Sequence, residues 1–349
     1  MDFAAPDFVL EALHERIDHG ILGYAEPQSE LVDAACKWFW HHFNWKVDPD
    51  WLIWIPGVVP GLNIASRAIG SDNDALIIMT PVYPPFLAVP ENSDKHILRS
   101  PLLYDGEKWI MDFADIGDKA RLASGLLLSN PQNPTGRVYS ENELSKLANI
   151  CLANDVVVVS DEIHWGIVLD EHRSHIPIAS ISEEFAHTTI TLIASTKTYN
   201  IAGVNCALGV IPDPILRERF VDATTGLVSH ISPLAYTATL ATFLDQSSWV
   251  NDLLAYLRVN RDLLERCVEE IPGLAMAHVE GTYLGWIDTR SLQIDDPATF
   301  FENHGLGFSD GVDFNGEGFV RFNFACPRDL LLEGIARLKK AASCCDMRP

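Results

Sequence analysis

"TITLIASTKTYNIAG", residues 189–203, begins as an apolar run and ends in hydroxyl, amine and amide side chains. The run "TITLIA" is continuous rather than alternating, as expected of a strand buried on both faces of a sheet. A lysine closing such a strand is unusual, because a desolvated ammonium is costly unless something uses it. The pattern recurs. "ALIIMTP" (75–81), "GLLLSNP" (125–131), "VVVVSDE" (156–162) and "CALGVIP" (206–212) are further apolar runs that end in turn chemistry. Helical segments lie between them. In "SENELSKLANICLAN" (140–154), Ser140 and Glu143 read as a capping box, and Leu144, Leu147, Ala148 and Cys151 make one apolar stripe. Strands alternating with helices predict an α/β fold with a mostly parallel central sheet and helices on both faces.

The flanks differ from this core. Residues 7–19 read as a helix, with Val9, Leu13 and Ile17 on one face and Gly20 as its stop. From about residue 234 helical patterns dominate, including 248–270 and 328–342, with strand-like "TYLGWID" (282–288) between them. The predicted division is a helical N-terminal segment (1–44), a large α/β domain (45–235) and a smaller α+β domain (236–349).

Composition narrows the function. The 349 residues are 48% hydrophobic and 21% charged, which suits an ordinary globular protein rather than a disordered one. Net charge is −23, a field that repels phosphate backbones, so no nucleic-acid partner is expected. No apolar stretch approaches the roughly 20 residues that span a bilayer. "ALIIMTPVYPPFLAVP" is broken by four prolines, and "MDFAAPDF" has neither a basic nor an apolar leader region. A cytoplasmic protein without a membrane partner is expected. The seven cysteines include no CxxC pair and no His/Cys metal spacing, so free, mostly buried thiols and no metal are expected, with Cys344 and Cys345 exposed in an end tail.

In open α/β sheets ligands bind beyond the carboxyl ends of the strands, so the residues after each apolar run are the informative ones. They are Asn133 in "NPQNPTG", Asp161 with "EIH", and Lys197: an amide, a carboxylate and an amine delivered to one edge. A lysine that can form a Schiff base, with an acid to hold a pyridinium nitrogen, is what pyridoxal phosphate chemistry requires. On local grounds alone Asp161 also fits a helix cap, Asn133 a plain Asn-Pro turn, and His164 a satisfied core histidine.

With the stretches "HGILGYAEP", "IPGVVPGLN", "PVYPPF", "SNPQNPTGRV", "SDEIHWGIVL", "STKTYNIAG", "GTYLGWID" and "GEGFVRFNFACPR", the chain resembles fold-type I, pyridoxal phosphate-dependent enzymes of aminotransferase class I/II. Within that family it is most similar to cystathionine β-lyase-like C–S lyases, over nearly the whole chain. The resemblance implies a fold-type I large domain with a smaller α+β domain. It also implies that Lys197 carries the cofactor as an aldimine and later takes the substrate's α-proton. Asp161 would pair with the protonated pyridine nitrogen, and Asn133 and His164 would reach the ring's phenolic oxygen. Tyr83 would stack on the ring. The phosphate would be held by the backbone N–H groups of Val58 and Val59 at a helix start and by the hydroxyls of Ser195 and Thr196. Tyr24 would reach the phosphate of a neighbouring subunit, and Arg321 would bind the substrate α-carboxylate.

Two departures from the family pattern stand out. Asn205 occupies the position where many aminotransferases place an arginine on the phosphate, and "MDFAAPDF" resembles an internal stretch that a few dozen residues normally precede. The implied function is β-elimination from cystathionine or a cysteine S-conjugate, giving thiol, pyruvate and ammonia, in a homodimer acting on a small amino-acid substrate. An aminotransferase uses the same residues for its early steps and stands as the alternative. A weakly active relative kept for protein interaction is a third.

Overall fold

The computed structural model describes residues 1–344. Two helices come first, α1 (Asp7–His19) and α2 (Ser29–Phe43). Seven strands then build the main sheet: β1 (Leu52–Ile55), β2 (Ala75–Thr80), β3 (His96–Pro101), β4 (Gly125–Ser129), β5 (Val157–Asp161), β6 (Thr189–Ile193) and β7 (Ala207–Val210). Their spatial order is β1-β7-β6-β5-β4-β2-β3. The pairs from β6 across to β3 are parallel. The β7 strand returns antiparallel beside β6, and β1 lies antiparallel on β7.

Burial explains the continuous apolar runs. Every residue of β2, β4, β6 and β7 is buried. Successive side chains feed opposite layers, as the pleat requires. On one face Leu76, Ile78, Leu127, Val159 and Ile190 pack with Leu62 and Ala65 of α3 (Val58–Ala68). On the other, Ile77, Met79, Leu126, Leu128 and Val158 meet Leu144 and Leu147 of α4 (Glu141–Leu152), which opens with the Ser140–Glu143 capping box. Each such fully buried Leu or Ile stabilises the fold by roughly 1.5–3 kcal/mol.

A second, antiparallel sheet follows two helices, α5 (Pro233–Phe243) and α6 (Trp249–Glu269). Its strands are β8 (Ala275–Met276), β9 (Leu284–Asp288), β10 (Ser309–Asp310) and β11 (Phe319–Asn323), in the order β8-β9-β11-β10. The closing helix α7 (Arg328–Ser343) packs Leu331 and Leu338 with Leu257 and Leu264 of α6 and with Ile287 and Phe322. The sequence reading sets no bounds for α2 within the helical segment 1–44, and it places no strand at β1 or β3. The α2 helix buries Trp38 and Phe39 against Trp165, Ile193 and Leu208, so it supports the main sheet from outside the α/β run.

All six cysteines among the described residues are free, four of them buried. Cys344, placed in an exposed tail by the sequence reading, is half-buried at the end of α7, and Cys345 lies outside the described residues. No described helix is long and apolar enough to cross a membrane.

A buried charge cluster joins the two sheets' surroundings. Arg137 donates from Nε to Glu280 at 2.9 Å and from Nη2 to Glu143 at 2.9 and 3.0 Å. Arg173 reaches the other oxygen of Glu280 at 2.8 Å. Removing one member leaves buried charge uncompensated, so Glu280→Ala is expected to lower stability by about 3–5 kcal/mol. Urea unfolding monitored by circular dichroism measures this, and a loss below about 1 kcal/mol would contradict the role given to the cluster.

Candidate active site

Register positions the site. Ser129 pairs with Asp161, and Asp161 with Leu192, so β4, β5 and β6 end at one height. The three chain exits carry Asn133, Asp161–His164 and Thr196–Lys197 to the rim of one cavity of about 500 Å³. The N-terminus of α3 and residues Tyr83, Tyr283 and Arg321 close its other sides.

Each exit is locked locally. Trp165 donates from Nε1 to the carbonyl of Ala194 at 2.9 Å, tying the turn after Asp161 to the end of β6. Tyr199 and Ile201 donate their backbone N–H groups to the carbonyls of Ser195 and Thr196, at 3.0 and 2.9 Å, so the lysine sits in a tight turn. The Asn-Pro turn places Asn133 with its carbonyl accepting from the N–H of Tyr83 at 3.1 Å. Both the turn and the cavity position of Asn133 are therefore real.

Burial shapes the electrostatics. Asp161 is buried, and among the described residues only the N–H of Ile163, at 3.0 Å, bonds its carboxylate. Desolvation first, and the neighbouring Glu162 charge, push its pKa up to about 7 against the pull of that N–H and of Lys197. Lys197 makes no ion pair among the described residues, and burial, reinforced by Arg321, lowers its pKa. His164 is driven down to about 3 by burial and by the two cations, so it stands neutral, and its Nδ1 has no partner among the described residues. Arg321 is presented on β11. It donates from Nη1 to Asn133 Oδ1 at 3.0 Å and from Nη2 to Ser309 Oγ at 3.1 Å, with its guanidinium 4.6 Å above the Phe314 ring. Among the described residues the cavity thus holds two cationic side chains against one carboxylate in a strongly acidic protein.

The start of α3 offers a further feature. Gly57 precedes it at φ 124° and ψ 161°, a conformation only glycine adopts readily, and no side chain caps the helix. The first helical bond runs from Gly61 to Gly57, and among the described residues no group accepts from the N–H groups of Val58 and Val59, which can meet an anion.

The cavity brings together Val58, Val59, Tyr83, Asn133, Asp161, His164, Thr196, Lys197 and Arg321, with Asn205 also on its wall. Two expected residues lie outside it, Ser195 and Tyr24, the latter expected at a neighbouring subunit's phosphate and not in this cavity. Ser195 is buried and its Oγ accepts from Thr242 Oγ1 at 2.7 Å, while Tyr24 is 92% exposed with its ring beside His230. Sequence reading missed Ser309, in a two-residue strand, and Phe314, in a single 3-10 turn, elements too short to carry a pattern, and Tyr283, which had one signal, its place just before an apolar strand.

Three features fit pyridoxal phosphate. Asp161 is a buried carboxylate without a paired cation, the Nδ1 of His164 is an orphaned polar atom, and the α3 terminus is an uncapped anion cradle.

Comparison with known proteins agrees with that chemistry. The family model described as aminotransferase class I and II matches residues 1–338. The chain is 36% identical to the protein named cystathionine beta-lyase PatB of Bacillus subtilis, over 98% of this chain and 91% of that one. Among solved structures, OvoB superposes with a TM-score of 0.95 at 41% identity, covering 98% of this chain and 90% of that one. Cystalysin from Treponema denticola, which contains pyridoxal 5'-phosphate, superposes with a TM-score of 0.95 at 32% identity, covering 100% and 90%.

The raised Asp161 has a measurable consequence. A carboxyl whose folded pKa lies above its unfolded value weakens the fold as pH rises, here between 3.8 and about 7. Cofactor-free Asp161→Asn is therefore expected to melt roughly 5 °C above cofactor-free wild type at pH 8, with the gap closing towards pH 4. Calorimetry at the two pH values reads it. A variant no more stable than wild type at pH 8 would refute the burial argument.

Proposed function

Because the chain belongs to the aminotransferase class I and II family, we propose that it is a C–S β-lyase cleaving cystathionine or a cysteine S-conjugate to thiol, pyruvate and ammonia. The observation carrying this reading is the meeting of Lys197, Asp161, Asn133 and Arg321 on one cavity, in a chain similar to a cystathionine beta-lyase along almost its whole length. The cofactor is pyridoxal phosphate. When bound, it supplies an aldehyde for the amine and a conjugated ring that withdraws electrons from the substrate α-carbon.

The remaining work falls to side chains. Arg321 is preset by Asn133, Ser309 and Phe314, so its planar fork meets the substrate carboxylate with little ordering left to do. Burial lowers the Lys197 pKa and so favours its neutral amine over the ammonium, which suits Lys197 Nζ to take the α-carbon proton and pass it to the departing sulfur. Asp161 would face the protonated ring nitrogen of the bound cofactor, and that charge would offset the cost of its burial and favour its ionised form. His164 and Asn133 offer neutral polar atoms, and neutrality at His164 follows from its low pKa. The α3 terminus and Thr196 serve the phosphate, and Asn205 contributes an amide where an arginine is common. One water is consumed overall, as the eliminated fragment hydrolyses to pyruvate and ammonia.

The same reading gives a homodimer. Tyr24 is exposed beside Ile21 and Leu22, with Leu227 also exposed, and these side chains suit an interface that carries Tyr24 to a neighbour's phosphate. It also keeps the division into residues 1–44, 45–235 and 236–349, and a cytoplasmic setting.

The test is pyruvate release from L-cystathionine by the pyridoxal phosphate-loaded protein, alongside an absorbance scan. Lys197→Ala is expected to lose more than about a thousandfold in rate and the lysine-linked visible band. A visible band without pyruvate, bleached by substrate and restored by a keto acid, would replace the lyase by an aminotransferase.

A further inference from the structure

Tyr283 belongs to the cavity wall yet has no part in the reading above. It is buried, its ring meets the edge of His164 at 5.5 Å between centroids, and its hydroxyl makes no hydrogen bond to protein among the described residues. Burial pushes its pKa up to about 12, so the phenol stays a neutral donor at working pH. The guanidinium of Arg321 lies close enough to act on that pKa, and Tyr83 and Tyr283 in turn act on Arg321. A hydroxyl donor beside the cation that receives a carboxylate has an obvious acceptor, the carboxylate itself.

The backbone that presents Tyr283 is unusual. Thr282 is fully buried and holds φ 69°, the left-handed region, which a β-branched residue rarely adopts. Such a conformation persists only where its surroundings fix it, and here they do. Glu280 is gripped by Arg137 and Arg173 and also accepts from the N–H of Val138 at 2.8 Å. Gly281 donates to the carbonyl of Gly136 at 2.9 Å, and Thr282 to that of Ile167 at 2.7 Å. The strap passes so near the main sheet's loops that a Cβ on Gly281 would come within 2.6 Å of Val138 and 3.0 Å of the Ile167 carbonyl. The buried charge cluster and the strained turn act on one outcome, the placing of the next side chain.

We propose that Tyr283 is a substrate-binding residue whose hydroxyl donates to the α-carboxylate held by Arg321, and that the Glu280 clamp positions it through the strained turn at Thr282. This rests on the amino-acid substrate reading given above. L-Alanine separates the two questions, since it carries the α-amino and α-carboxylate groups but no leaving group. Pyridoxal phosphate-loaded wild type, Tyr283→Phe and Glu280→Gln are titrated with L-alanine by absorbance, and kcat and KM are measured on L-cystathionine. Tyr283→Phe is expected to weaken alanine binding and raise KM by about tenfold, with kcat within about twofold and an unchanged melting temperature. Glu280→Gln should shift both in the same direction while melting earlier. Unchanged alanine binding and KM in Tyr283→Phe would overturn the proposal, as would a loss confined to kcat. Normal binding in a destabilised Glu280→Gln would overturn the positioning role. Failure of wild type to respond to alanine at all would overturn the amino-acid reading, and this inference with it.

Discussion

The level ending of three parallel strands is the constraint on which the site depends. Because Ser129, Asp161 and Leu192 share one row of the sheet, whatever follows each strand emerges at the same edge. The chemistry needs an amide, a carboxylate and an amine within one cavity, and the register supplies that meeting without long side-chain reach. The antiparallel return of β7 then carries the chain away from the site, between β6 and β1. A slip of one residue in β5 would turn Asp161 to the opposite face, so the apolar packing that fixes register also fixes function.

Burial then sets the chemical character of what has been assembled. Asp161 rises, while Lys197 and His164 fall, and each shift moves a group towards neutrality in the absence of a partner. The site is therefore electrostatically unsatisfied as it stands, in a particular pattern: a carboxylate short of a cation, and a cationic rim with an uncapped helix start short of an anion. One molecule with a basic ring nitrogen and a phosphate answers both deficits. Pyridoxal phosphate is such a molecule, and the cost of holding these groups unpaired is what its binding recovers.

Much of this was legible in the sequence, for identifiable reasons. Strands buried on both faces leave continuous apolar runs, and the runs at 75–81, 125–131, 156–162, 189–195 and 206–212 each contain a strand of the main sheet. Helix ends with side-chain or glycine signals were readable too, including α1 up to Gly20 and the capping box of α4. Eight of the nine expected residues on the cavity wall lie at or after strand ends, at a helix start or in a Pro-rich turn, places where local sequence has a positional meaning, and the ninth, Arg321, is a lone cation inside the otherwise apolar strand β11. What escaped depends on distant contacts. Ser309 and Phe314 matter only because β10 and the loop after it fold over Arg321, twelve and seven residues further along the chain. The α2 helix, by contrast, carried a signal that went unread: Leu31, Ala34, Ala35, Trp38 and Phe39 recur at helical spacing and are the face it buries, with Trp38 on Trp165.

The strap at residues 279–283 shows why a stability argument and a functional one meet in this fold. A positive φ at a buried threonine costs about 1–3 kcal/mol, and buried ions cost more unless fully paired. Arg137, Arg173, Glu143 and Glu280 are paired with one another, and Asp170 extends the cluster to Arg261 on α6. Hydrophobic side chains of similar volume could hold two layers together at no desolvation cost. They could not specify the path of a short strap that leaves β8, passes against the main sheet's loops and returns into β9, since apolar contacts lack angular preference. Charged hydrogen bonds have it, and here they fix Glu280 at both carboxylate oxygens, three residues before Tyr283 reaches the cavity. The cluster is better understood as a device for orientation than as a source of net stability.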